Sequence, residues 1–351
     1  MKGHQTATAE KSPVTRILMG VKHGGILSTV GETPLVELVK LPPGLDFRVY
    51  AKLEMANPGG SIKDRSALSM LADRIASGEL VPGRSTVVES SSGNLAVGIA
   101  QICRYHGIRF ICVVDAKTNS HNVGMLHAYG AEVEMVNRPG ADGEYLAARI
   151  RRVREIVETL PGAYWPNQYA NELNPRAHEQ TMREIASALD GRVDYLFSAI
   201  SSFGTLRGCS QYIGAHSLST RLVAVDAVGS NIFDGQPRVK RLLPGHGSAI
   251  RPVLFDPNAA DEVIHVTDAE CVIACRRLVE TEAILAGASS GAVVAALLRM
   301  APEIPAGSNC VLILADRGDR YLQTVYSDDW VSRNLNLASA RIANAMPSIA
   351  R

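Results

Sequence analysis

Val87-Val88-Glu89-Ser90-Ser91-Ser92-Gly93-Asn94-Leu95-Ala96 passes from a β-branched run, through small residues, into a helical pattern that continues to His106. The same change of period recurs on both sides of it. Phe110–Val114 precedes a pattern over Asn122–Tyr129, and Glu132–Val136 precedes one over Gly143–Leu160. After a loop around Trp165 come a helix over Pro175–Leu189, a strand over Tyr195–Ile200, a helix over Thr205–His216 and a strand over Leu222–Val228. Helical patterns over Asp268–Thr281 and Ser290–Met300 and a strand over Cys310–Leu314 close the series. Short buried strands alternating with helices predict an α/β fold with mainly parallel sheets. Between Gly229 and Asn258 the periodicity gives way to Gly, Pro and basic residues, which predicts a functional or covering loop.

The chain has 351 residues, more than the roughly 250–300 at which one hydrophobic core stops growing, so two packed domains are expected. Lys and Arg number 36 against 35 Asp and Glu, for a net charge of +1. Without a charge block there is no reason to expect nucleic acid or a membrane surface as partner, and small molecules become the expected ligands. The six cysteines lie in apolar stretches without a C-x-x-C pair, so reduced core thiols are expected. Cys271 and Cys275 share a helix face, but only His265 is near them in sequence and no metal site is expected. The polar, mixed-charge stretch from Met1 to Lys22 and the absence of a long apolar run predict a cytoplasmic protein.

Asn57-Pro58-Gly59-Gly60-Ser61-Ile62-Lys63-Asp64-Arg65 reads as a turn feeding a helix, with Ser61 as N-cap and Asp64 closing a capping box. Ile62, Leu68, Leu71 and Ile75 form the apolar stripe, and Gly78 ends the helix. Lys63 then sits in the first turn, where the helix dipole and Arg65 disfavour its charge and favour imine chemistry. An ordinary solvated lysine is the competing reading. In Ser90–Asn94, small residues between strand and helix can turn several N–H groups toward one anion such as a carboxylate, although a plain N-cap turn has the same look. Ser201-Ser202-Phe203-Gly204-Thr205 follows a strand and opens a helix, a phosphate cradle without the lysine of a nucleotide-binding loop. Gly287-Ala288-Ser289-Ser290-Gly291 fits the G-x-S-x-G of a hydrolase, yet no histidine follows it, since the last is His265. Ser289 is left as a hydroxyl suited to a neutral pyridine nitrogen.

In this order the segments resemble the cysteine synthase/cystathionine β-synthase family, the fold type II pyridoxal phosphate (PLP) enzymes. The likeness runs from Ile26-Leu27-Ser28-Thr29-Val30-Gly31-Glu32-Thr33-Pro34-Leu35 to Asp316-Arg317-Gly318-Asp319-Arg320-Tyr321-Leu322. It implies a tryptophan synthase β-like fold: a smaller, mobile α/β domain over 50–168, a larger phosphate-binding one from 1–49 and 169–331, and a tail over 332–351. It also implies Lys63 as the Schiff-base lysine, Asn94 at the ring oxygen, Ser201, Ser202, Phe203, Gly204 and Thr205 at the phosphate, and Ser289 at the ring nitrogen. Ser91, Ser92, Gly93, Asn94 and Gln168 match substrate-carboxylate positions, Gly245 lies in the active-site loop, and a homodimer is expected.

Three features depart from the usual family pattern. The phosphate loop carries Ser201, Ser202 and Phe203 where glycines and threonines are common. Leu95 stands where cysteine synthases have threonine. The loop Arg241-Leu242-Leu243-Pro244-Gly245-His246-Gly247-Ser248-Ala249 is unlike that of the sulfhydrylases. With the Asp-Arg-Gly-Asp-Arg-Tyr-Leu ending, these features resemble the branch serving 2,3-diaminopropionate and siderophore biosynthesis. Members of that branch join O-phospho-L-serine to L-glutamate, giving N-(2-amino-2-carboxyethyl)-L-glutamate and phosphate. A cysteine synthase and a non-catalytic relative are the alternatives. Arg207, Arg241 and Arg251 are candidate cations for the substrate phosphate and the glutamate carboxylate.

Overall fold

The computed structural model describes residues 24–41, 44–140, 145–233 and 239–335. Strand β1 (Leu35–Glu37) pairs antiparallel with β2 (Arg48–Leu53), which leads into helix α1 (Lys63–Ala76). Then follow β3 (Thr86–Ser90), α2 (Asn94–His106), β4 (Arg109–Asp115), α3 (Ser120–Ala128), β5 (Glu132–Val136), α4 (Tyr145–Thr159), β6 (Ala163–Tyr164) and α5 (Leu173–Ala188). The remaining elements are β7 (Tyr195–Ala199), α6 (Gly204–Ala215), β8 (Arg221–Ala227), β9 (Glu262–Val266), α7 (Asp268–Glu282), α8 (Ala288–Met300), β10 (Asn309–Leu314) and α9 (Asp328–Leu335).

The strands form two sheets. A parallel four-stranded sheet has the order β5-β4-β3-β6, and a six-stranded sheet has the order β1-β2-β10-β7-β8-β9 with only its β1 edge antiparallel. Both faces of each are covered, which is why central strands such as Cys310-Val311-Leu312-Ile313-Leu314 are apolar without alternation. One face of the larger sheet packs on α7 and α8, and the other on α5 and α6. The smaller sheet lies between an apolar cluster containing α1 and α2 and a second one containing α4.

The expected alternation is present, and α2 and β5 have the boundaries read from the sequence. Strand β9 and helix α9 were not anticipated. Helix α9 extends to Leu335 into the expected tail, whose remainder, from 336, lies outside the described residues, as do Met1–Lys22 and the Gly143 start of α4. The capping box at α1 is not formed. Ile62 is the N-cap, and the Asp64 carboxylate accepts instead from the Gly59 N–H at 2.6 Å. The Ser61 backbone is meanwhile engaged in an antiparallel bridge with Asp316. Thus Asp64 secures the turn before the helix, and of the expected capping pair only Ser61 engages the helix end, its Oγ accepting from the Lys63 N–H at 3.2 Å.

Arg65 anchors α1. Its Nε donates to Glu54 Oε2 at 2.7 Å and its Nη2 to Glu184 Oε2 at 2.7 Å, while Lys52 Nζ donates to the same Glu184 oxygen at 2.6 Å. All four side chains are buried or nearly so. Burial alone would raise the Glu184 pKa, but the hydrogen bonds and charges of Arg65 and Lys52 outweigh it and hold the carboxyl down at about 2. A carboxyl lower in the folded than in the unfolded chain contributes stability above the ordinary carboxylate range and loses it as pH falls through about 2. Glu184→Gln leaves two buried cations under-compensated and is expected to cost about 3–5 kcal/mol in a denaturant titration at neutral pH. It is also expected to flatten the loss of stability between about pH 5 and pH 2.

Candidate active site

The structure gathers most of the singled-out residues at the C-terminal ends of parallel strands, where open α/β sheets bind ligands. Lys63, Ser201, Ser202, Phe203, Gly204, Thr205 and Gly245 line one cavity, floored by Ile62, Ile313 and Ala315. Lys63 is half-buried. Burial lowers its pKa, partly opposed by the Asp316 carboxylate. The sequence pointed to the helix end and Arg65 as the cause; Arg65 is occupied by Glu54 and Glu184, and burial takes its place. A lysine held toward its neutral form is a competent nucleophile for a carbonyl.

The loop after β7 has the form an anion cradle would take. Phe203 adopts a left-handed conformation at φ 71°, just before α6 begins. The N–H groups of Ser202, Phe203, Gly204 and Thr205 form no hydrogen bond with the described residues. Free N–H groups at the start of a twelve-residue helix suit a phosphate. Beneath the loop, Asn174 Nδ2 donates to Ser202 Oγ at 3.2 Å and to the Gln168 carbonyl at 2.9 Å, and its Oδ1 accepts from Ser66 Oγ at 2.8 Å. His178 Nε2 lies 3.0 Å from Ser66 Oγ and 3.4 Å from Thr205 Oγ1. Burial first, then the charges of Lys63 and Arg65, push its pKa well down, leaving a neutral imidazole. Gly204 must be glycine, because a Cβ there would lie 2.3 Å from Asn174 Oδ1.

The turn after β3 repeats the pattern. Ser91 Oγ accepts from the N–H of Ala96 at 3.3 Å and of Gly93 at 3.4 Å, and the Ser92 carbonyl accepts from Asn122 Nδ2 at 3.0 Å. The N–H groups of Ser92, Asn94 and Leu95 form no hydrogen bond with the described residues. Glu89 braces this turn, its Oε1 accepting from the Ser90 N–H at 2.8 Å and from Trp165 Nε1 at 2.9 Å. Burial raises the Glu89 pKa to about 7 against these bonds. The Leu95 side chain packs in the apolar cluster with Ile99 and Leu71.

Ser289 is buried at the start of α8, and a Cβ on Gly245 would touch its Oγ at 3.4 Å. Gly245 has φ 103°, a conformation that favours glycine. The Gly247 N–H donates to the Ile200 carbonyl at 2.7 Å, docking the irregular segment onto the phosphate-cradle loop. None of the three arginines lines the cavity around Lys63. Arg207 pairs with Glu172 at 3.0 Å, Arg241 donates to the His246 carbonyl at 3.4 Å, and Arg251 donates from Nε to the Ile232 carbonyl at 2.8 Å and stacks on Phe255.

In the sequence Asp316, Arg320 and Tyr321 stand out only as parts of one motif. Asn94 Nδ2 donates to Asp316 Oδ2 at 2.8 Å, Tyr321 donates to the same oxygen at 2.8 Å, and Arg320 donates to Asn94 Oδ1. A carboxylate just beyond the end of a central parallel strand was the available signal. His178, Asn174 and Ser66 were missed because nothing in a helical pattern marks a polar residue that supports a loop elsewhere.

A cavity lined by a lysine held toward its neutral form and by a turn with free N–H groups, with Ser289 beside its Gly245 and the Asn94 amide tied to Asp316 just past its Ala315, fits a phosphorylated aromatic aldehyde. Residues 26–316 match the family model described as pyridoxal-phosphate dependent enzyme. The chain is 44% identical over 326 residues to N-(2-amino-2-carboxyethyl)-L-glutamate synthase of Ralstonia nicotianae (strain ATCC BAA-1114 / GMI1000), covering 92% of this chain and 96% of that protein. Among solved structures, O-ureido-L-serine synthase is similar at TM-score 0.81 and 30% identity, covering 93% of this chain and all of that one. The O-acetylserine-dependent cystathionine β-synthase of Helicobacter pylori aligns at TM-score 0.80 and 29% identity, covering 88% of this chain and 100% of that one. No helix among the described residues is long and apolar enough to cross a membrane. The ligands are PLP and small-molecule substrates, the sheets are those of fold type II, and the chain belongs to the pyridoxal-phosphate dependent enzymes as a PLP-dependent transferase.

Proposed function

We propose that the enzyme joins O-phospho-L-serine and L-glutamate to give N-(2-amino-2-carboxyethyl)-L-glutamate and phosphate, a precursor of 2,3-diaminopropionate for siderophores or related products. The observation that carries the choice of substrates is the likeness, over nearly the whole of both chains, to a synthase of that product. Bound at Lys63, PLP supplies an electron sink for the carbon that loses its proton. The other roles belong to the chain's own side chains. The Lys63 amine takes up the Cα proton, a task for which its lowered pKa suits it. The free N–H groups of the Ser91–Asn94 turn, with Ser91, Ser92, Gly93 and Gln168, hold the α-carboxylate of the serine-derived substrate. Residues Ser201–Thr205 hold the cofactor phosphate, Asn94 donates to the ring oxygen, and Ser289 faces a ring nitrogen left neutral, which moderates carbanion stabilisation. Gly245 lets the loop lie against the substrate. Arg241 and Arg251, which line no part of the cavity here, act as cations for the substrate phosphate and the distal carboxylate of glutamate only by turning toward it from the His246 and Ile232 carbonyls.

On this reading the smaller domain, expected over 50–168, closes on the larger one from 1–49 and 169–331 when the carboxylate is bound, while β2, which belongs to the six-stranded sheet, and the Arg65-pinned first turn of α1 stay with the larger domain. The enzyme works as a homodimer in the cytoplasm. Sulfide-using and non-catalytic relatives remain as outcomes of the assay.

Mass spectrometry of products from O-phospho-L-serine or O-acetyl-L-serine mixed with L-glutamate or sulfide separates these readings. N-(2-amino-2-carboxyethyl)-L-glutamate with released phosphate is expected from the first substrate of each pair, and cysteine as sole product overturns the assignment. Gly204→Ala is expected to weaken PLP affinity by about ten- to a hundredfold, the worth of one or two charged hydrogen bonds, as measured by cofactor titration. Unchanged affinity contradicts the phosphate role of the loop.

A further inference from the structure

Arg320 offers only donors, so the Asn94 atom facing it is the carbonyl oxygen, and the orientation of that amide follows from chemistry. The Asn94 nitrogen carries two hydrogens. One goes to Asp316 Oδ2, and the other has no acceptor among the described residues. Asp316 is itself firmly held. Tyr321 donates to its Oδ2, its carbonyl accepts from the Gly287 N–H at 3.0 Å, and its backbone bridges Ser61, two residues before Lys63. A Cβ on Gly287 would lie 2.0 Å from Asp316 Oδ1, so the carboxylate occupies space that only glycine leaves open. Asp316 is 1% exposed, and its Oδ1 is buried without a hydrogen-bond partner among the described residues. A buried, half-satisfied carboxylate is costly, and a fold that needed only a tie between β10 and α2 has cheaper ones.

We infer that Asp316 is a positioning residue that clamps the Asn94 amide, together with Arg320, so that an N–H rather than the carbonyl faces the phenolic oxygen of the cofactor ring. The inference rests on the reading above of Asn94 as the partner of that oxygen. A donor there stabilises the oxygen's anionic form, whereas a flipped amide sets two acceptors against each other. With Asp316 gone, only Arg320 opposes the flip. Tyr321 acts one step further out, by orienting the clamping oxygen.

The test reads the absorption spectrum of the PLP-loaded protein, in which the visible and near-ultraviolet bands report the anionic and neutral forms of the ring oxygen. Asn94→Ala is expected to lower the ratio of visible to near-ultraviolet absorbance by about tenfold or more, the worth of one hydrogen bond to a charged oxygen, and Asp316→Ala to lower it by a smaller factor, because Arg320 still opposes the flip. The double variant is expected to show no more than the Asn94→Ala effect, because both changes remove the same contact. Asp316→Asn keeps a carbonyl acceptor and is expected to restore most of the ratio, which a merely structural role would not require. A wild-type spectrum in Asp316→Ala beside a shifted one in Asn94→Ala overturns the inference and leaves the Asn94 reading standing. An unshifted Asn94→Ala removes both. If Asp316→Ala does not fold, Tyr321→Phe carries the test: a lowered ratio supports the clamp, and an unchanged ratio overturns it.

Discussion

Arg65 ties the helix that carries Lys63 to a sheet with which it otherwise shares only the apolar contact of its N-cap Ile62. Leu68, Leu71 and Ile75 of α1 belong to the cluster of the four-stranded sheet, yet its first turn is pinned to Glu54, after β2, and to Glu184 on α5. Lys63 therefore stands at a fixed place between the two sheets. The pairing also disposes of the Arg65 charge, since two carboxylates and two cations share the buried network. A buried ion network of this kind adds little net stability compared with apolar packing, but breaking it is expensive, which makes it a better device for register than for strength.

With that helix fixed, the ends of three parallel strands deliver most of the remaining groups, Ser289 coming instead from the start of α8. Strand β3 leads to the turn with free N–H groups, β7 to the second such turn, and β10 to Asp316. Each group is set by partners from elsewhere: Ser202 by Asn174, Asn94 by Asp316 and Arg320, and the Gly247 segment by Ile200. Burial then tunes the chemistry, lowering the pKa of Lys63 and His178 and raising that of Glu89. Cationic charge is thus disfavoured on the amine, as the proposed role of Lys63 as nucleophile and base requires.

The fold was legible wherever periodicity carried it, as in Asn94–His106 and Glu132–Val136. It was illegible where burial was partial. Strand β9 mixes Glu262 and His265 with apolar residues at the sheet edge, and α9 is only a turn or two long. The missing capping box at Ser61 shows the limit of local rules, because the Gly59 N–H takes the Asp64 carboxylate and the Lys63 N–H takes Ser61 Oγ. Of the site, the backbone turns and Lys63 could be read from their own segments. The partner of Asn94 could not, for 222 residues separate it from Asp316 and no pattern in either stretch announces the other.

The central claim is that Lys63 is the residue to which the cofactor is attached. Borohydride reduction of the PLP-loaded protein followed by peptide mapping tests it directly. The account predicts a pyridoxyl-phosphate adduct on the peptide containing Lys63 and on that peptide alone. An adduct on another lysine, or a colour that survives in Lys63→Ala and reduces onto a different residue, contradicts it.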